Sequence, residues 1–367
     1  MEYFVVLTTE CNLQCSYCYG KAFFDSPRET KEQACGFVPE EMRYRVKDLA
    51  DFCKRDRECG IIFYGGEPLL RMEKFEEILE NVNAKSFILQ TNATMLDKVK
   101  PRHLKKLNGI QVSVDGDEET TDACRGKGTY KKCVENSGLV KEKGFEGELI
   151  ARMTVTEKTG IFEQVMHLLN LELFDAVHWQ LDAQFGYDYG GRDFSKWVEE
   201  SYNPGITRLV DKWLEEMERG KVLRLYPFLG VMESLLKKEK WNLRCGAGWA
   251  HYVIQTNGKL VPCPAMQGMK NFYAGTLKTR PSDLKKFGLG EPCDKCSIRE
   301  KCGGRCLYAN ETKNWGEKGF EEVCVTARHL VEEMEKALPK VKKLMGEGKV
   351  REQDFEYTKF NSCEIIP

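Results

Sequence analysis

The sequence predicts an α/β fold: an open (β/α)6 partial TIM barrel followed by a C-terminal, cysteine-rich domain. Three observations carry this expectation. Short apolar runs alternate with longer amphipathic stretches through the first 200 residues or so. A loop with three cysteines in eight positions follows directly on the first apolar run. Seven further cysteines fall between residues 245 and 324, beyond a helical region.

The length of 367 residues suits two or three domains at about 150 residues each. Boundaries are expected at 1–200 for the barrel, 201–240 for a helical linker, 241–330 for the cysteine-rich domain and 331–367 for a terminal helix and tail. Apolar residues make up 41% and aromatic ones 11%, enough for buried cores. The formal net charge of −1 gives no electrostatic support for a nucleic-acid partner. No signal peptide and no run of 18 apolar residues is present, so no membrane partner is expected. Sixteen cysteines, clustered at short spacings, point to metal rather than disulfides and to a reducing, cytoplasmic setting.

Taken in order, strands are expected at 3–8, 60–64, 86–91, 109–115, 148–155 and 176–182. Helices are expected between them at about 39–57, 69–83, 97–107, 129–143 and 161–170. This alternation implies parallel strands joined by crossover helices, with function collected on the loops at the strands' C-terminal ends. Asn203-Pro204-Gly205 and Tyr226-Pro227 read as breakers in the linker. Residues 252–262 read as a β-hairpin turning at Asn257-Gly258, and 326–346 as an amphipathic helix. No separate recognition domain is expected ahead of the first strand.

The loop Cys11-Asn12-Leu13-Gln14-Cys15-Ser16-Tyr17-Cys18 has a C-x3-C-x2-C spacing. Three thiolates so placed can hold three corners of a [4Fe–4S] cubane and leave its fourth iron open to a small molecule. Closed structural zinc sites prefer four ligands from paired C-x2–4-C units. With Tyr17 just before the last cysteine, this loop resembles the signature of radical S-adenosylmethionine (SAM) enzymes. Further segments extend the resemblance. Gly65-Gly66-Glu67-Pro68 is similar to the motif that holds the SAM amino group. Thr91-Asn92-Ala93 matches a Thr-Asn-Gly segment, with Ala93 in place of the glycine. Ser113-Val114-Asp115-Gly116, followed by Arg125-Gly126 and Gly128-Thr129-Tyr130, resembles a passage of peptide-modifying members. The resemblance implies SAM contacts from Tyr17, Gly65, Gly66, Glu67, Asn92, Ser113 and Arg152. For Arg152 a barrel-edge salt bridge is an equal alternative. Gln180 and Asp182 are candidates for lining a substrate cavity; no catalytic base stands out.

The later cysteines resemble the SPASM extension, which carries two auxiliary clusters. The resemblance gives Cys245, Cys263 and Cys306 to the first, and Cys293, Cys296, Cys302 and Cys324 to the second. Sulfatase maturases have a further cysteine where this chain has His251. Either His251 ligates iron or the first cluster keeps an open iron, and a lone hairpin histidine is more often a packing residue. Cys35, Cys53, Cys59, Cys124, Cys133 and Cys363 fit no cluster spacing and read mostly as small buried residues, with Cys35 singled out for a role near the site.

The resemblance therefore implies three [4Fe–4S] clusters, SAM and an electron donor such as ferredoxin or flavodoxin. It also implies reductive cleavage of SAM to a 5′-deoxyadenosyl radical that abstracts hydrogen from a ribosomally made peptide, giving a thioether or carbon–carbon crosslink or a related oxidation. One alternative is an anaerobic sulfatase-maturating, formylglycine-generating enzyme. Such enzymes carry an acidic residue after the second hairpin cysteine, where this chain has Pro264. Another is a non-catalytic iron–sulfur or zinc-binding protein, which gives Gly65-Gly66-Glu67 no task.

Overall fold

The computed structural model describes residues 1–18, 38–182 and 192–359. Six strands form where the apolar runs place them: β1 (Glu2–Val6), β2 (Gly60–Tyr64), β3 (Ser86–Thr91), β4 (Gly109–Ser113), β5 (Glu148–Val155) and β6 (Ala176–Leu181). Each pairs in parallel with its sequence neighbour. From Tyr3 to Leu7 every side chain is buried, which explains a continuous apolar run rather than an alternating one. The sheet ends at β6 and does not close back on β1, so the barrel is open.

Between the strands run α1 (Val46–Cys53), α2 (Met72–Asn81), α3 (Pro101–Leu104), α4 (Glu118–Arg125), α5 (Thr129–Glu142) and α6 (Ile161–Asn170). On α6, Ile161, Val165 and Leu168 are buried at helical spacing, the stripe that docks it on the sheet. The expected helix at 39–57 starts only at Val46, because the residues before it do other work. Glu40 and Glu41 lie against Thr8 and Thr9, and the Arg43 N–H donates to Thr256 O at 2.7 Å. The helix expected at 97–107 is cut at Lys100, which precedes a proline and is extended, so α3 starts afresh at Pro101. Helix α4 was not anticipated, yet its signals stand in the sequence. Asp117 caps it by accepting from Thr120 N at 2.9 Å, and Glu118 and Glu119 occupy the first turn.

Neither proposed breaker breaks a helix. The chain stays helical through Pro204: Phe194–Trp197 continues through a π-helical turn at Val198–Tyr202 into α7 (Asn203–Glu218), so the hydrogen-bond ladder shifts just ahead of the proline that lacks an N–H. Gly205 is there for packing: a Cβ on it would stand 2.5 Å from Ile161 Cγ2 on α6. Tyr226-Pro227 opens α8 (Tyr226–Lys237) rather than ending anything.

The hairpin forms as β7 (His251–Ile254) and β8 (Lys259–Val261), with Gly258 at φ 77° in its turn, and β9 (Gly275–Thr276) adds to it. It is continuous with the barrel. β7 pairs in parallel with β1, making one nine-stranded sheet ordered β6-β5-β4-β3-β2-β1-β7-β8-β9. The C-terminal helix is longer than expected: α9 runs Gly316–Gly346 and packs along α7 and α8. Among the described residues no helix is long and apolar enough to cross a membrane.

Candidate active site at the C-terminal ends of the barrel strands

The loop after β1 carries Cys11, Cys15 and Cys18, and three neighbouring strand ends hold it. From β2, Gly66 N donates to Thr8 O at 2.9 Å and Glu67 N to Glu10 O at 2.8 Å. The glycines are there because the two loops touch. A Cβ on Gly65 would lie 2.3 Å from Thr8 O, and one on Gly66 2.1 Å from Glu10 O. Both neighbours are backbone and cannot swing aside. Gly66→Ala is expected to cost about 1–3 kcal/mol and to lower iron bound per chain, read from thermal unfolding and iron analysis of the reconstituted protein. Arg71 adds ion pairs to Glu10 and Glu41, bracing the same entry.

The segment after β3 grips the loop's first turn. Asn92 Nδ2 donates to Asn12 Oδ1 at 2.8 Å and approaches Cys11 Sγ at 3.8 Å, while Asn12 Nδ2 donates to Thr94 Oγ1 at 2.8 Å. Ala93 occupies the left-handed region at φ 60°, which gives a physical reason for the glycine of the related segment.

Glu67 is wholly buried and faces protein on all sides. Its carboxyl accepts from Leu69 N at 3.0 Å, Thr91 Oγ1 at 2.7 Å and Asn92 N at 2.7 Å. It thus joins the β2 and β3 ends that cradle the cysteine loop. Burial pushes its pKa up from 4.5 to about 7, although the three donors favour the ionised form. A carboxyl whose folded pKa is raised contributes stability that is full below pH 4.5 and lost as pH rises to about 7. Infrared difference spectra should show a protonated-carboxyl band that titrates away near pH 7 and is diminished in Glu67→Gln, the remainder belonging to Glu2, which burial also raises to about 7. Its absence from the parent protein between pH 4.5 and 7 would contradict this assignment.

The third support comes from β4, α4 and β5. Arg125 makes a bidentate pair with Asp115, both bonds at 2.8 Å, with side chains 7% and 0% exposed. Asp115 also accepts from Tyr17 O–H at 2.5 Å and from Thr154 N at 2.8 Å. The guanidinium sits 5.4 Å from the Tyr17 ring centre, and Ser16 N donates to Cys124 O at 2.9 Å. Tyr17 therefore spends its hydroxyl inside the protein, orienting the loop between Cys15 and Cys18. Burial pushes the Cys15 thiol up, opposed by the nearby Arg125 cation. The motif containing Asp115 and Arg125 was visible in the sequence, but the pair itself was not among the expected site residues.

Ser113 and Arg152 are register partners on β4 and β5, so both stand at the same edge of the site. Arg152 Nη2 donates to Gln180 Oε1 at 2.5 Å, which places these two together. Asp182 is held by Arg192, which also pairs with Glu157. Cys53, Cys59 and Cys133 are buried, whereas Cys124 is partly exposed. Cys35 and Cys363 lie outside the described residues.

The later cysteines gather in two places. Cys293, Cys296, Cys302, Cys306 and Cys324 line one cavity that opens to solvent, together with Arg299, Arg305 and Arg328. Cys324 comes from α9, which explains how a residue 18 positions after Cys306 returns to it. Cys245, Cys263 and Cys306 border the smaller core under the hairpin, with Tyr308 near both Cys306 and Cys263. Cys306 therefore touches both groups. His251 is 4% exposed and packs edge-on against Phe4 at 5.0 Å. Burial pushes its pKa down to about 4, so its ring is neutral at ordinary pH. Among the described residues no three His, Cys, Asp or Glu side chains converge on a single-ion site.

Comparison with known proteins agrees with this geometry. Residues 5–169 match the radical SAM superfamily. The chain is 24% identical to the cysteine-type anaerobic sulfatase-maturating enzyme of Clostridium perfringens, over 88% of this chain and 92% of that protein. It is 28% identical to the mycofactocin maturase MftC of Mycolicibacterium smegmatis, over 83% and 77% of the two chains. The fold matches native anSMEcpe with bound AdoMet and Cp18Cys peptide at a TM-score of 0.68, with 19% identity over 94% of this chain and 99% of that one. With the cysteine loop held at the mouth of an open parallel barrel, residues 5–169 form a radical SAM domain and the chain is a radical SAM enzyme.

Proposed function

We propose that the chain modifies a peptide or protein, forming a thioether or carbon–carbon crosslink or carrying out a related oxidation. The observation that carries this reading is the three-sided support of one cysteine loop by Glu67, Asn92 and the Asp115–Arg125 pair. Three side-chain thiols on a rigid loop suit a cubane with one iron left for SAM. When bound, that pair supplies the reductive cleavage that yields methionine and a 5′-deoxyadenosyl radical able to abstract hydrogen. The chain's own part is to bind, orient and shield. Asn92 and the backbone of Leu13 point donors at Cys11 Sγ, favouring its thiolate. Gly65 and Gly66 let the end of β2 close directly on the cysteine loop, since a Cβ on either would meet Thr8 O or Glu10 O. Ser113 and Arg152 stand ready at the adjoining strand ends, Arg152 suited to a carboxylate.

The unclosed barrel leaves a side entrance suited to an extended chain. Residues 241–330 fit a SPASM extension, with Cys245, Cys263 and Cys306 on one auxiliary cluster and Cys293, Cys296, Cys302 and Cys324 on the other. A ferredoxin or flavodoxin would supply electrons. Peptide-directed relatives support the substrate class, since the names of the similar proteins include sulfatase and mycofactocin maturation.

Formylglycine generation is the second reading, favoured by the near full-length likeness to the Clostridium enzyme. Against it, Pro264 opens a 3₁₀ turn after Cys263, where a carboxylate would have to serve as base. Mass spectrometry of a small peptide encoded beside the gene, after turnover with SAM and dithionite, separates the two. Loss of two hydrogens is expected. An aldehyde trapped by a hydrazide reagent would overturn the crosslink reading.

A further inference from the structure

Arg244 is a buried cation whose hydrogen bonds all go to neutral groups. Its side chain is 5% exposed. Nε donates to Lys301 O at 2.7 Å, and Nη1 donates to Gly230 O at 3.1 Å and Ser234 Oγ at 2.8 Å. The Trp241 ring lies 5.4 Å from its guanidinium carbon. Among the described residues no carboxylate is within ion-pair distance of it. Of the groups that reach it electrostatically, Tyr357 and Cys302 are neutral when protonated, and the two carboxylates, Glu233 and Glu239, are held by Lys237 and Lys359. Burying a charge without a counter-charge is costly, and such groups are nearly always paired.

Its surroundings show where the missing charge belongs. Arg244 faces Cys302 electrostatically and packs on the turn beyond it, where a Cβ on Gly303 would stand 3.1 Å from Arg244 Cγ. In sequence it directly precedes Cys245. Arg299, Arg305 and Arg328 line the same cysteine cavity, and no carboxylate does. Five cysteines, three arginines on the wall and a fourth buried behind it form a cradle for a compact anion.

We infer that Arg244 is the fixed counter-charge of the cluster held by Cys293, Cys296, Cys302 and Cys324, and that it raises that cluster's reduction potential. This rests on the auxiliary-cluster reading given above. A thiolate-ligated cubane carries net negative charge that grows by one when [4Fe–4S]²⁺ takes up an electron to become [4Fe–4S]⁺, and net charge and hydrogen bonding set its potential. A cation held in a low-dielectric shell stabilises the more negative, reduced state. Arg244 is a positioning residue that acts through the cysteines it stands behind.

The test is an EPR-monitored redox titration, with dithionite as electron source. It uses the full-length, reconstituted chain in a background lacking Cys11, Cys15 and Cys18, so that only auxiliary signals remain. Arg244→Met is expected to move one auxiliary signal to lower potential with iron content unchanged, while Arg244→Lys restores it. Should Arg244→Met shed about four irons and Arg244→Lys keep them, the charge requirement stands as well. An unchanged potential in Arg244→Met, or equal iron loss in both variants, overturns the assignment. Failure of the underlying reading looks different: the background protein itself would hold zinc, or no auxiliary iron, before Arg244 is altered.

Discussion

Arg125→Met is expected to destabilise the protein by about 3–5 kcal/mol, the usual cost of leaving one member of a buried ion pair alone. Asp115 would keep its hydrogen bonds from Tyr17 and Thr154 but lose both 2.8 Å bonds to the guanidinium in a site with no exposure. The damage should spread to the cysteine loop, because Tyr17 and the Ser16–Cys124 backbone contact both depend on this corner. Thermal unfolding, iron content and SAM affinity should therefore fall together. Asp115→Leu combined with Arg125→Met removes both charges and should recover part of the stability without recovering SAM affinity. Additive losses in the double variant would mean that the two residues do not act as a pair.

Replacing Cys11, Cys15 and Cys18 with alanine has the largest expected effect on chemistry. The loop should keep its anchors at Gly66, Asn92 and Asp115, none of which uses a thiol as its main partner. The protein should fold, lose about four irons and yield no 5′-deoxyadenosine. Retention of the full iron content would show that these cysteines ligate nothing.

The six barrel strands and the cysteine loop were legible in the sequence because their determinants are local. Apolar runs mark strands buried on both faces, and three cysteines in eight residues need no tertiary context. What could not be read was how distant segments meet. Glu67 carries the right residue type in the right motif, but only the fold shows its carboxyl enclosed by Leu69, Thr91 and Asn92. Tyr17 stands in the expected loop, but only the fold shows its hydroxyl donating to Asp115. Pro227 opens a helix in its first turn, and at Pro204 a π-helical turn just ahead of it lets the helix run on, so neither proline ends one. The pairing of β7 with β1 has no sequence signal: His251–Ile254 and Glu2–Val5 are separated by the whole barrel. Arg244 reads as an ordinary surface cation until its burial behind Cys302 is seen.

The central claim is that the loop at Cys11–Cys18 supports SAM cleavage. The most direct measurement is chromatographic detection of 5′-deoxyadenosine after anaerobic reconstitution with iron and sulfide and addition of SAM and dithionite. The protein should release 5′-deoxyadenosine and methionine in equal amounts. A fully iron-loaded protein that releases none would contradict the account.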